Sequence, residues 1–170
     1  MRKEQAAHVL RNGSVTGRRP VATTQYASRR ARGSLQVMQK QNAYVLHIDA
    51  RRSLTLRVGA LKGVWLPAGH YVYVGSARRG IATRIARHVR LAVQKTGNLH
   101  WHIDYLLTNP QIQLAGATVL VGCSECRISL QIASRKGVTA PIPHFGSTDC
   151  RSGCKAHLYR LQAREDIVLV

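Results

Sequence analysis

Along this chain the spacing of apolar residues changes period several times, and each change predicts an element. Residues 42–50 (NAYVLHIDA) alternate, with Tyr44, Leu46 and Ile48 on one parity, which predicts a strand. Arg51-Arg52 makes a basic turn, and Leu54, Leu56 and Val58 alternate again, as the hairpin partner of that strand. Residues 59–63 form a connection, and Leu66-Pro67-Ala68-Gly69 is a turn into a further alternating stretch. There Tyr71, Tyr73 and Gly75 share one parity, and Val72 and Val74 the other. Gly75-Ser76-Ala77 breaks the strand, Gly80 sits in the same loop, and the period then lengthens. Ile81, Ile85, Val89 and Ala92 recur at three to four residues and predict one face of a helix.

Further on, Gly97-Asn98 marks a loop, and residues 100–107 (HWHIDYLL) read as a second helix ending before Pro110. The β-branched run at 116–122 (GATVLVG) predicts a buried strand. Ser124 can cap a helix running to Ala133 with Ile128, Leu130 and Ile132 inward, and 156–161 and 167–170 read as short closing strands. The predicted class is α+β: a small antiparallel sheet flanked by helices, its front half covered on one face. This domain spans 42–170. Residues 1–41 show no sustained apolar period, hold nine basic residues against the single acid Glu4, and read as a disordered tail.

Composition adds one decisive fact. Lys and Arg number 26 against 7 Asp and Glu, a net charge of +19, and without the tail the excess is still +11. Such an imbalance points to a polyanionic partner, nucleic acid above all. No stretch approaches the roughly 18 consecutive apolar residues that span a bilayer, so no membrane partner is expected. The N-terminal residues lack the apolar core of a secretory signal. Four cysteines without such a signal suggest reduced thiols or a metal site and a cytoplasmic location. The Arg-rich, acid-poor tail leaves organelle targeting open as the alternative.

The chemistry concentrates between His70 and Arg90. No acid falls between His70 and Leu99, whereas Arg78, Arg79, Arg84, Arg87, Arg90 and Lys95 do, and Arg84 and His88 stack at i, i+4 on one helix face. A basic strand–turn–helix is also an ordinary solvated surface, and spacing alone favours that plainer reading. The string itself says more. Tyr73-Val74-Gly75-Ser76, followed by Arg84 and His88, resembles the second motif of the GIY-YIG nuclease superfamily, where a Tyr-Ile/Val-Gly strand end precedes a helix bearing the essential arginine. The first motif, Gly-Ile-Tyr, is matched by Asn42-Ala43-Tyr44, which keeps the tyrosine and lacks the glycine. The small Uri-type endonuclease branch is the most similar, because it shares the block at 100–107 and the Phe-Gly-Ser-x-Asp-Cys stretch at 145–150. The resemblance covers about 42–161.

It implies a DNA endonuclease with one Mg²⁺ or Mn²⁺ site and no small-molecule cofactor. Tyr44, Tyr73, Arg84 and His88 are then the catalytic residues. A tyrosine can act as base only where its surroundings lower its pKa. The superfamily's metal ligand is a glutamate on a later helix, and Glu125 is the only internal glutamate here. Asp49, Asp104 and Asp149 complete the acids available to a hard cation, and a first-turn glutamate favoured by the helix dipole is the plainer account of Glu125. Arg78, Arg79, Arg87, Arg90, His100 and His102 are candidate nucleic-acid contacts. His100, His102 and Asp104 could share a metal only on a strand, since helical residues two apart diverge. The late cysteines, Cys123-x-x-Cys126 and Cys150-x-x-x-Cys154, admit a structural zinc, but the second spacing is wider than the usual knuckle and zinc is not favoured. Cys126 could instead cluster, metal-free, with the later pair and His157. The rival function is a catalytically inactive nucleic-acid-binding module using the same basic face.

Overall fold

The computed structural model describes residues 42–163. The predicted tail, 1–41, and the closing strand at 167–170 lie outside the described residues. The architecture is α+β, with six strands and three helices among the described residues: β1 (Asn42–Ala50), β2 (Leu54–Arg57), β3 (Gly63–Leu66), β4 (Gly69–Ser76), α1 (Ile81–Gln94), α2 (His102–Leu107), β5 (Ile112–Val121), α3 (Glu125–Ala133) and β6 (Leu158–Leu161). Four strands form an antiparallel sheet in the order β5-β1-β4-β6.

Both faces of this sheet are covered. Tyr44, Leu46, Ile48, Tyr71 and Tyr73 project to one side, against Leu91 of α1 and Ile103, Leu106 and Leu107 of α2. Ala43, Val45, Val72 and Val74 project to the other, against Ile128 and Ile132 of α3. The period-2 parity of β1 and β4 is thus a true division between two cores. The single covered face expected for the front half is corrected, because α3 closes the second.

Other expectations shift for physical reasons. β2 pairs with β3 as a separate two-stranded ribbon and not with β1. Alternation identifies a strand but not its partner, and Leu56 and Leu66 still join the larger core. The run at 116–122 belongs to an edge strand and is largely exposed, with Val121 at 80%. In the pairing with β1, a bulge opens between His47 and Ile48, a common feature of edge strands. On α1 the buried stripe centres on His88 and Leu91, leaving Val89 exposed. Leu130 is exposed too, because it stands two residues from both Ile128 and Ile132 and cannot share their helix face.

Candidate active site

Tyr44 sits in the middle of the sheet, directly opposite Gly75 on β4. A Cβ at residue 75 would overlap the Tyr44 ring, so the glycine of the Tyr-Val-Gly string is the surface on which that ring lies. Gly80, in the left-handed region at φ 65°, starts α1, and the helix runs back over the same side of the sheet. This brings His88, one turn beyond Arg84, to the tyrosine. Tyr44 Oη and His88 Nε2 are 2.8 Å apart and buried.

Burial, opposed by the Arg84 guanidinium, raises the Tyr44 pKa well above that of a free phenol, and burial raises that of Tyr73 as well. The lowered phenol pKa that a base role would require is therefore not met at either residue. Burial also lowers His88, to about 4, against the opposing charge of Asp104. His88 is thus uncharged near neutrality, and the Tyr44 hydroxyl donates to its Nε2 while Nδ1 faces Asp104 Oδ1 at 3.7 Å.

Asp104 is fully buried and anchors several elements. Its carboxylate accepts from Arg87 Nη1 and Nη2, each at 2.8 Å, from the His100 backbone N–H at 2.8 Å and from the Trp101 backbone N–H at 2.9 Å. Burial would raise its pKa, but Arg87 and the two backbone donors outweigh burial and lower it. Arg87 also donates to the Asn98 carbonyl at 2.8 Å. Its fork is therefore turned inward and braces α1 against α2, with part of the side chain still exposed.

Arg84 lies on the Trp101 ring, 4.5 Å from its centroid, and donates to the Ser76 carbonyl at 2.8 Å. Arg87 stands at 4.6 Å from the same ring, so the indole orients both guanidiniums. His100 is exposed and packs edge-on to Trp101, while the His102 Nδ1 accepts the Gly146 N–H at 3.0 Å. His102 thereby ties the 100–107 block to the Phe-Gly-Ser block. Gly146 is itself required, having φ 75° and lying against Tyr73. Neither histidine shares a metal-binding group with Asp104 among the described residues. Arg78, Arg79 and Arg90 are exposed, as a surface contact would need.

Glu125 opens α3, capped by the Ser124 hydroxyl, which accepts from the Arg127 N–H at 3.2 Å. The Ser76 hydroxyl donates to Glu125 Oε2 at 2.6 Å, and His157 Nδ1 lies 3.0 Å from Oε1. Burial works against a charged His157, but Glu125 and the Cys150 sulfur outweigh it and raise its pKa. Tyr44, Tyr73, Arg84, His88 and Glu125 all line one cleft of ≈ 390 Å³, together with Asp149, Arg151 and His157. Asn42, where the resemblance expects glycine, keeps an ordinary negative φ, and its side-chain oxygen accepts the Gly122 N–H at 3.1 Å. No glycine conformation is needed there.

Sequence reasoning missed the Ser76, Trp101 and His157 contacts. The Trp and His signals lay inside or beside blocks already noted, but only packing shows what they touch. The cysteines divide as the second of the two expected groupings has them, not by paired spacing. Cys126, Cys150, Cys154 and His157 form a group that could hold a metal ion, and Cys123 stands apart, beside the smaller core.

A compact α+β domain with two buried tyrosines, a stacked arginine and a helix-borne glutamate on one cleft is the class these features define. The chain belongs to the family described as Domain of unknown function DUF123, whose family model matches residues 43–169. No curated protein and no solved structure matches it.

Proposed function

We propose that this chain is a GIY-YIG-type endonuclease that hydrolyses phosphodiester bonds in DNA with one Mg²⁺ or Mn²⁺. The observation that supports this best is the convergence of Tyr44, Tyr73, Arg84, His88 and Glu125 on one cleft, from strands and helices far apart in the chain. Glu125 fits a hard cation. Its carboxylate is about a quarter exposed, opens on the cleft, and keeps acceptor positions beyond those facing Ser76 and His157. Mg²⁺ commonly binds through one carboxylate with water and substrate oxygens completing its shell. Bound there, the cation would offset charge on the phosphoryl group and acidify a bound water.

The residues supply the remaining steps. Arg84, held by Trp101 and the Ser76 carbonyl, can present its other donors to a phosphoryl oxygen. Tyr44 need not ionise beforehand. Held by His88 Nε2, 2.8 Å away, its oxygen can orient the attacking water as a hydrogen-bond acceptor, and the proton of a cation-acidified water can leave to solvent. The free cysteines suit a reducing, cytoplasmic setting.

Cleavage of single-stranded, duplex and branched DNA with Mg²⁺ or Mn²⁺ tests the proposal. Arg84→Ala and Glu125→Gln should each lower the rate by about 10²–10³ or more, with affinity for DNA nearly kept. Wild-type protein that binds DNA and cuts none of these substrates would refute it. The second reading, an inactive binding module on the same basic face, draws on the engagement of Glu125 by Ser76 and His157.

A further inference from the structure

Beside Glu125, the first turn of α3 meets the loop that leads into β6, and Cys126, Cys150 and His157 line the same cleft. Cys126, Cys150, Cys154 and His157 come together there, their donor atoms all within 4.8 Å of one another. We propose that these four residues bind one zinc ion through three thiolates and one imidazole nitrogen. Tetrahedral zinc, with Zn–S about 2.3 Å and Zn–N about 2.0–2.1 Å, needs ligand atoms roughly 3.3–3.8 Å apart. The Cys126 and Cys150 sulfurs already stand 3.5 Å apart, and no other pair needs a contraction of more than about 1 Å. All four cysteines of the chain are free thiols.

His157 gives the independent support. Its ring is only 3% exposed, and neither nitrogen makes a regular hydrogen bond, which is rare for a buried polar group. Nδ1 faces Glu125 Oε1 at ion-pair distance, 3.0 Å, leaving Nε2 for a metal. A ligand histidine with a carboxylate behind its other nitrogen is the usual outer-shell arrangement at zinc. Thiolates select zinc over the hard cations assigned to Glu125, so the two sites do not compete. Three S–H protons leave to solvent as three Zn–S bonds form, and nothing is oxidised or reduced. Cys123 takes no part. The inference stands apart from the nuclease reading, since metal content is measured without DNA.

The full chain should be purified under reducing conditions without chelator and its metal measured by elemental analysis. About one zinc per chain is expected in the wild type and in Cys123→Ser, with loss in Cys150→Ser. If Cys150→Ser does not fold, the wild type still decides through cobalt substitution. Sulfur-to-cobalt charge transfer together with tetrahedral visible bands is the expected spectrum. Wild-type protein that takes up no zinc even when zinc is added, an octahedral cobalt spectrum, loss of zinc in Cys123→Ser, or a native Cys126–Cys150 disulfide would each overturn the assignment.

Discussion

Replacing Arg87 with alanine separates a structural arginine from a DNA-facing one. The side chain is 23% exposed, and its partner carboxylate, Asp104, is fully buried. Arg87→Ala removes two 2.8 Å charge-assisted hydrogen bonds and leaves Asp104 with two backbone donors and a neutral His88. Breaking a buried pair by deleting one partner costs about 3–5 kcal/mol. The exposed flank of Arg87 admits water, so the lower end, about 3 kcal/mol, applies. An arginine on a solvated basic face would cost less than about 0.5 kcal/mol. With a urea slope of roughly 2 kcal/mol/M, the midpoint should fall by about 1.5 M. Asp104→Asn should destabilise as well, and the double variant should lose much less than the sum of the two. Lysine at 87 should recover only part, because an ammonium cannot make the two-pronged contact. A midpoint unmoved by Arg87→Ala, together with weaker DNA binding and a shallower salt dependence, would refute the brace and restore a phosphate contact.

Two further predictions follow from the same neighbourhood. His88 has a folded pKa of about 4 against an ordinary 6.5, so below 6.5 the unfolded chain takes up a proton that the native ring refuses. The stabilisation it gives is complete above pH 6.5 and is lost as pH falls to about 4. At about 1.4 kcal/mol per pH unit this amounts to about 3–4 kcal/mol at most, and His88→Gln should flatten that part of a denaturation series measured against pH. Gly75→Ala drives a methyl group into the buried Tyr44 ring and should cost about 1–3 kcal/mol, seen as a lower thermal midpoint. A wild-type midpoint in that variant would mean that the ring does not lie across Gly75.

Those residues also show what could be read in the sequence. Parity gave the two faces of β1 and β4, and the change of period gave α1 and the Arg84–His88 pair, because both signals are local. The first motif's tyrosine and the second motif's glycine were legible as separate strings. Their relation, one ring lying on one glycine across a strand pair, needed the register. The same limit explains the misplaced partner of β2, the edge position of β5 and the inward fork of Arg87. Each depends on a neighbour distant in sequence, which periodicity does not carry. Spacing also paired the cysteines by their gaps of two and three. The fold adopts the alternative grouping, Cys126 with the later pair and His157, because α3 begins where the loop before β6 passes.

The scarcity of acids ties charge to chemistry. Each of the four internal acids has an identifiable neighbour: Asp49 meets His70, Asp104 holds Arg87, Glu125 is set between Ser76 and His157, and Asp149 acts on His102 while lining the cleft. Arg78, Arg79 and Arg90 stay exposed, so the outward field remains positive. Attraction to a polyanion is then a sum over many such charges and weakens with salt. The proposed chemistry would instead depend on a few buried or part-buried groups lining one cleft, which salt screens less. If the proposed nuclease reading holds, affinity and turnover should respond to different residues: neutralising an exposed arginine should lower the first, and disturbing Tyr44, Arg84 or Glu125 the second.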